Sequence, residues 1–146
     1  MNTLAAEDHI RAHAEKPAGR RIHEGVMHGA PNETVEFFFE PRNGAFSDIK
    51  ATLCWTDPAG PSQEGKTDSR TPVLVHDLDL RLIRPNGDIM YPSTLDALFP
   101  WRNAAQGDNT VDTVEKIDAS PLYYSFPIQD PHPRPWKAVI SHKGFN

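Results

Sequence analysis

Two acidic groups are the residues in this sequence whose types and spacing best suit ligand chemistry. Asp77 and Asp79 lie two residues apart in an alternating stretch, so both side chains point to one face of a strand while Leu78 and Leu80 point to the other. Neighbouring carboxylates repel each other and need a cation, an arginine or backbone donors nearby. The second group starts in a loop and enters a strand: Asp108, Asn109, Asp112 and Glu115.

Carboxylate and amide oxygens are the ligands that calcium prefers in proteins. Neither group matches a fixed-spacing calcium loop, so a site would draw its ligands from several loops. The histidines are scattered and Cys54 is the only cysteine, which disfavours zinc. We therefore predict that a bound metal is calcium, and the alternative is that these carboxylates form hydrogen bonds or ion pairs with Arg81 or Arg84. The predicted calcium ligands are Asp57, Asp77, Asp79, Asp108, Asn109 and Asp112.

Catalytic signatures are absent from the sequence. It contains no G-x-S-x-G, H-E-x-x-H or G-x-x-x-x-G-K-[ST] motif. Cys54 falls within a predicted strand, which predicts a small buried or half-buried side chain rather than a reactive thiol. A hydrolase that uses His76 with Asp77 or Asp79 is a weaker alternative, because neighbours in a strand alternate between faces. The sequence predicts no catalytic residue in this chain.

Composition narrows the possible partners. The chain has 146 residues, which is the size of one ordinary domain. Its net charge of −5 argues against nucleic acid as a ligand. Its longest apolar stretches, such as Ala97 to Trp101, are far shorter than the ~20 residues of a membrane helix. We therefore expect neither a nucleic-acid nor a membrane partner.

The elements that position these residues are mostly predicted strands. Residues Thr3 to Glu15 favour a short N-terminal helix, which Lys16-Pro17-Ala18-Gly19 ends. From Arg21 onward apolar residues recur with a period of two, as in strands with one face on a core. The predicted strands are Val35–Phe39, Ile49–Trp55, Leu78–Leu82, Ile89–Tyr91, Val111–Ile117, Leu122–Phe126 and Trp136–His142.

This pattern predicts an all-β fold, an antiparallel β-sandwich or jelly roll of seven to nine strands. Pro85-Asn86-Gly87 predicts the turn of a hairpin. Two long segments, Asp57–Pro72 and Pro92–Asp108, are predicted as loops that carry function or bind a partner. The predicted core residues are Leu53, Trp55, Leu78, Leu80, Leu82 and Ile140.

Four ordered blocks of the sequence resemble one family. They are Ala51–Gly60 (ATLCWTDPAG), Leu74–Leu80 (LVHDLDL), Gly107–Glu115 (GDNTVDTVE) and Val139–Gly144 (VISHKG). Together they resemble the C-terminal β-sandwich, a P-domain-like jelly roll, that follows the catalytic domain of subtilisin-like serine proteases. The resemblance covers about residues 20–144, and the initial helix is similar to the last helix of the catalytic domain.

The resemblance implies a domain division and a function. Residues 1–19 would be the terminal helix and linker from a preceding catalytic domain, and residues 20–146 the β-sandwich domain. The chain would be a non-catalytic accessory domain of a secreted or extracellular serine endopeptidase, whose catalytic residues lie in the preceding domain. Its partners would be that catalytic domain in the same parent chain and a protein or peptide substrate.

A different class of function stays open. The chain could be a free-standing carbohydrate- or protein-binding jelly roll, with Trp101, Tyr123 and Tyr124 as an exposed ligand platform. The simpler interpretation of those rings is that they complete the core, since large aromatic residues are mostly buried. A cluster of exposed rings in one place would favour the binding module.

Overall fold

The computed structural model describes residues 7, 10–11, 22–30, 32–40, 48–65, 71–96, 98–119 and 135–145. The described residues form eight strands, which is within the predicted number. Their bounds are β1 Thr34–Phe39, β2 Ile49–Cys54, β3 His76–Ile83, β4 Ile89–Met90, β5 Ser93–Thr94, β6 Ala105–Gln106, β7 Val114–Ala119 and β8 Trp136–Phe145.

All pairings between these strands are antiparallel, as predicted. The largest sheet has the order β1-β8-β3-β4, with β8 between β1 and β3. Ile140 on β8 lies opposite Val35 of β1 on one side and Leu80 of β3 on the other. The register of β3 against β8 shifts between Asp77 and Leu78, which is a β-bulge. Two smaller sheets pair β2 with β7 and β5 with β6.

One hydrophobic core joins the four-stranded sheet to the β2–β7 sheet. Leu80 and Leu82 of β3 are buried with Ile117 of β7 and Trp136 of β8. Side chains of β2 are partly buried against this cluster, because Ile49, Ala51 and Leu53 occupy alternate positions on one face. The remaining members of the core and its margin are Met90, Ala119, Phe39, Ala138 and Ile140.

The predicted core is largely confirmed. Leu78, Leu80 and Leu82 are buried, and Leu53 and Ile140 are partly buried against the core cluster. Trp55 is only half-buried and lies just after β2, where its indole N–H donates to the carbonyl of His76. The predicted hairpin is confirmed as well, since β3 pairs with β4 through Leu82 and Ile83.

Three predictions about local structure were wrong. Cys54 is exposed, because it shares the outer face of β2 with Lys50 and Thr52. The predicted loop Pro92–Asp108 contains the short strands β5 and β6, which are too short to show any periodicity. Strand β7 begins three residues later than predicted, because the Asn109 side chain accepts backbone N–H groups from the residues that follow it and holds them in a turn.

Two predicted elements fall outside the described part of the chain. The strand Leu122–Phe126 lies wholly outside it. The helix Thr3–Glu15 also lies outside it, apart from Glu7, Ile10 and Arg11.

Candidate functional site

The first polar contact of the candidate site is made by Asp57, just after β2. Its Oδ2 accepts the backbone N–H of Val75 at 2.7 Å, and its Oδ1 accepts that of His76 at 2.9 Å. Both oxygens are therefore used by amides at the start of β3. The Trp55 indole donates to the carbonyl of His76 at 3.2 Å, so the end of β2 and the start of β3 are tied together.

The second contact is made by Glu115, which points inward from β7. It lies on the same face of that strand as the buried Ile117 and Ala119, and only 1% of it is exposed. One carboxylate oxygen accepts the backbone N–H of Leu80 on β3. Because β4 pairs only with Leu82 and Ile83, Glu115 supplies an acceptor where β4 does not reach. This contact joins the four-stranded sheet to the β2–β7 sheet.

A network of charged side chains surrounds this contact. Arg81 donates to Asp79 at 2.9 Å and to Asp108 at 3.1 Å. The Lys143 ammonium donates to Asp108 and lies 3.2 Å from Asp79 and 3.7 Å from Asp77. One oxygen each from Asp79, Asp108 and Glu115 lie within 4.8 Å of one another. This charged network comprises Asp77, Asp79, Arg81, Asp108, Glu115 and Lys143.

Burial and crowding shift the ionisation of these groups. Burial raises the pKa of Glu115 to about 7; the charges of Asp79 and Asp108 add to that rise, while the Leu80 amide and Arg81 oppose it. Burial and the contact with Asp108 also raise the pKa of Asp79, against the charges of Arg81 and Lys143. Burial acts to raise the pKa of Asp108, but hydrogen bonds with Lys143, Asp79 and Arg81 outweigh it and lower the pKa to about 2.

Two carboxylate oxygens of the charged network have no hydrogen-bond partner among the described residues. They are Oδ1 of Asp77 and Oε1 of Glu115, and both residues are buried. Buried oxygens without a donor are costly, by about 1–3 kcal/mol each for a neutral group and more for a charged one. The network thus carries negative charge that its hydrogen bonds do not satisfy.

Two histidines lie at the edge of this region. His76 Nδ1 and His142 Nε2 are 3.0 Å apart, and His142 is buried. The structure therefore pairs the His76 ring with another imidazole. Asp77 and Asp79, which the hydrolase alternative assigned to His76, instead contact the Lys143 ammonium.

The structure brings together only part of the predicted calcium set. Asp79 and Asp108 meet, and Asp77 joins them through Lys143. The oxygens of Asp57 and the amide oxygen of Asn109 accept backbone N–H groups instead, and Asp112 is exposed. Glu115, which lies outside the predicted ligand set, joins Asp79 and Asp108. The signal that identifies it is a carboxylate at an inward position of an alternating strand.

A separate feature is the exposed tip of the β5–β6 hairpin. Trp101 is 77% exposed, and its ring lies edge-on to Phe99 with centroids 5.7 Å apart. The guanidinium carbon of Arg102 lies over the Phe99 ring, 4.0 Å from its centroid. Leu95 and Leu98 are also exposed. For Trp101 the expectation of burial in the core was wrong, whereas Tyr123 and Tyr124 lie outside the described residues.

No protein-family model matches the chain, and no curated protein is significantly similar to it. A search of the described residues for a helix long and apolar enough to cross a membrane finds none.

Proposed function

We propose that this chain is a non-catalytic accessory module of a secreted subtilisin-like serine endopeptidase. It stabilises the protease domain of the same parent chain by packing against it, and it shapes access of protein or peptide substrates. The endopeptidase activity belongs to the parent, whose catalytic residues lie in the preceding domain. This chain supplies a scaffold.

The observation that carries this proposal is the meeting of the four resembling blocks. Asp57 from the first block accepts two backbone N–H groups at the start of the second block, and Glu115 from the third block accepts that of Leu80 at its end. Lys143 from the fourth block contacts Asp79 and Asp108. The residues that carry the resemblance therefore contact one another, which supports a common architecture rather than a chance similarity of separate segments.

The same contacts support the finer fold assignment. We infer a jelly-roll β-sandwich whose layers are the four-stranded sheet and the β2–β7 sheet. Leu82 of the first sheet and Ile117 of the second belong to one buried cluster, which is how two packed sheets share a core. Glu115 adds a polar link between the same two sheets.

Calcium belongs to this proposal as a stabilising ion at the charged network. Calcium binds oxygens at about 2.3–2.6 Å, so two oxygens on one ion lie no more than about 5 Å apart, and the grouping of Asp79, Asp108 and Glu115 meets that limit. The network holds four carboxylates but only two cationic side chains, Arg81 and Lys143. A divalent ion would balance that difference.

Melting curves test the calcium assignment. Calcium at ~100 times its Kd should stabilise the chain by about 2.7 kcal/mol, and a chelator should reverse the shift in Tm. Lys143→Gln should enlarge the response, because the ammonium competes for the same oxygens. Identical curves in millimolar calcium and in excess chelator, for both proteins, would leave the network as self-contained ion pairs.

The parentage is tested on the gene and on the parent protein. We expect the reading frame upstream to encode a serine-centred catalytic domain. Deleting residues 20–146 from that parent should shorten the half-life of its peptidase activity on heating. A natural start codon with no upstream frame would refute the proposal, and so would a deletion that leaves thermal inactivation unchanged. The isolated chain should not cleave a generic peptide substrate.

The exposed ring of Trp101 favours one second candidate, a free-standing carbohydrate- or protein-binding module. Exposed aromatic rings stack on apolar faces of ligands at little entropic cost. A glycan and peptide array should then give a ligand whose binding is lost in Trp101→Ala and kept in Val114→Ala, a change at another exposed apolar residue. No binding to either class would remove this candidate.

A further inference from the structure

The tip of the β3–β4 hairpin is an Asn-Gly turn that the proposed function does not use. Asn86 and Gly87 are both exposed, and Gly87 has a φ of 94°, in the left-handed region that favours glycine. A Cβ placed on Gly87 would meet no heavy atom within 4 Å. We propose that Asn86 is a modification site that deamidates to aspartate and isoaspartate, and that Asp88 controls the rate. The site is independent of any parent protease.

The reaction requires only these two residues and water. The backbone nitrogen of Gly87 attacks Cγ of Asn86, so that a new N–Cγ bond forms and the Cγ–Nδ2 bond breaks. The Nδ2 group leaves as ammonia and takes the amide proton of Gly87 with it. Water then opens the succinimide at either carbonyl, which gives aspartate or isoaspartate. Glycine favours the first step because it has no Cβ to crowd the attacking nitrogen.

In the folded turn, hydrogen bonds hold both reacting groups out of position for this attack. The Asp88 N–H donates to Oδ1 of Asn86 at 3.0 Å, and Nδ2 of Asn86 donates to Oδ2 of Asp88 at 2.8 Å. The Gly87 N–H donates to the carbonyl of Arg84 at 2.9 Å. Attack requires the carboxamide to turn toward Gly87 and the Gly87 amide to lose its proton. These hydrogen bonds therefore slow deamidation.

Arg84 fixes Asp88 in the position from which it acts. Its guanidinium donates to Oδ2 of Asp88 at 3.1 Å, and its backbone N–H donates to the carbonyl of Asp88 at 2.9 Å. Asp88 is thus bound through its side chain and its backbone. Loss of the Asp88 carboxylate should free Nδ2 of Asn86, while the backbone N–H of residue 88 still donates to Oδ1 and the backbone bonds of the turn remain.

Deamidation would weaken the hairpin that contains it. The product places a second carboxylate beside Asp88, where the two repel each other and compete for Arg84. Isoaspartate also adds a methylene to the backbone of the turn. Strand β4 follows directly and places Met90 in the core opposite Leu82. The modified chain should therefore melt at a lower temperature than the fresh one.

Ageing the full chain at pH 8 and 37 °C tests both parts of the proposal. Peptide mapping by mass spectrometry measures aspartate and isoaspartate at Asn86 in the folded wild type, in the guanidinium-unfolded chain and in Asp88→Ser. The folded wild type should react roughly tenfold more slowly than the unfolded chain, the factor expected when about two hydrogen bonds must be broken. Asp88→Ser, which loses the contact to Nδ2 of Asn86 and keeps the backbone donors of the turn, should react faster than the folded wild type and more slowly than the unfolded chain. Asp118→Ser, at an exposed acid of β7, should match wild type.

The second Asn-Gly pair of the sequence, Asn43-Gly44, provides a reference in the same digest. Unchanged circular dichroism in Asp88→Ser would show that a faster reaction at Asn86 reflects the turn and not global unfolding. Equal rates at Asn86 in folded wild type and Asp88→Ser would overturn the role of Asp88. An Asn86 that stays intact in the folded chain while Asn43 converts completely would overturn the modification site.

Discussion

Asp57 and Glu115 both accept backbone N–H groups at β3, yet the structure uses the two carboxylates in different ways. Each oxygen of Asp57 has its own donor, the amides of Val75 and His76. Glu115 has one donor, the Leu80 amide, and its other oxygen has none among the described residues. Asp57 is thus a structural link with both oxygens hydrogen-bonded, whereas Glu115 is a link with one carboxylate oxygen that has no donor among the described residues.

The difference follows from where each residue lies. Asp57 comes after β2 in a segment without regular structure, so its carboxylate can be oriented toward two amides. Glu115 lies inside β7, and the alternation of that strand directs it inward with Ile117 and Ala119. There it meets Asp79 and Asp108. Equal residue chemistry therefore gives a stabilising contact at one position and a charged, proton-binding group at the other.

A core substitution in β3, the strand that both carboxylates contact, should lower stability the most. Leu82 is fully buried on the inward face of β3, the strand to which both carboxylates bind. Leu82→Ala should lower the free energy of unfolding by about 2–5 kcal/mol, through lost burial and the cavity left behind. Urea unfolding measures it. The matched control is Val114→Ala at an exposed position of β7, which should change stability by less than about 0.5 kcal/mol.

The next largest expected effect is the dependence of stability on pH. The folded pKa of Glu115 is about 7, above its ordinary value of 4.5, so the folded state binds more protons between these values. Stability should therefore be highest near pH 4.5 and fall as the pH rises through 7, by up to roughly 3 kcal/mol. Asp79, whose pKa is also raised, acts in the same direction.

Asp108 should make stability depend on pH in the opposite direction, and in a lower pH range. Its pKa is lowered to about 2, so its stabilising contribution is present above pH 4 and is lost as the pH falls toward 2. Unfolding measured from pH 2 to 8 with chelator present should therefore show a maximum between these two windows. Stability that rises steadily from pH 5 to 8 would contradict the assignment of a raised pKa to Glu115.

Asp57→Asn should be the next largest change. Asparagine keeps one acceptor oxygen, so one of the amides of Val75 and His76 would face an NH₂ group instead of a carboxylate. The expected loss is about 1–3 kcal/mol, the usual effect of leaving a partly buried donor without its charged acceptor. Asp118→Asn, which removes only an exposed ion pair with Lys116, should cost less than about 0.5 kcal/mol. Equal losses in both variants would mean that Asp57 is not a structural link.

The sequence patterns predicted the fold where they had enough residues to show a period. Exposure alternates along the six-residue β1, leucine and charged residues alternate in the sequence of the eight-residue β3, and both strands occur where expected. The two-residue strands β5 and β6 have no period to detect. The start of β7 was missed because a single side chain, that of Asn109, holds the preceding residues in a turn. Such contacts depend on three-dimensional neighbours.

The candidate site was predictable only in part, for a related reason. Spacing indicated that Asp77 and Asp79 share a face, and it identified Asp108 as acidic and near a strand. It could not show that Lys143, from the last strand, lies between them. Nor could it show that Asp57 is used by two backbone amides, since those donors come from residues 18 and 19 positions later. Long-range pairing decided which carboxylates meet.

The smallest expected effect distinguishes Glu115 from Asp57 most directly. Glu115→Gln keeps an oxygen that accepts the Leu80 amide, removes a buried negative charge, and places an NH₂ group where it can donate to the neighbouring carboxylates of Asp79 or Asp108. At pH 5 in chelator, where Glu115 is protonated in the folded wild type, its free energy of unfolding should therefore lie within about 1 kcal/mol of wild type. The decline in stability that wild type shows between pH 5 and pH 7 should also be mostly absent in this variant.

Glu115→Ala is the control, since it removes the acceptor and leaves a cavity, and it should cost about 2–4 kcal/mol. A loss in Glu115→Gln as large as that in Asp57→Asn would show that Glu115 is an ordinary satisfied link, and the contrast between the two carboxylates would then be wrong.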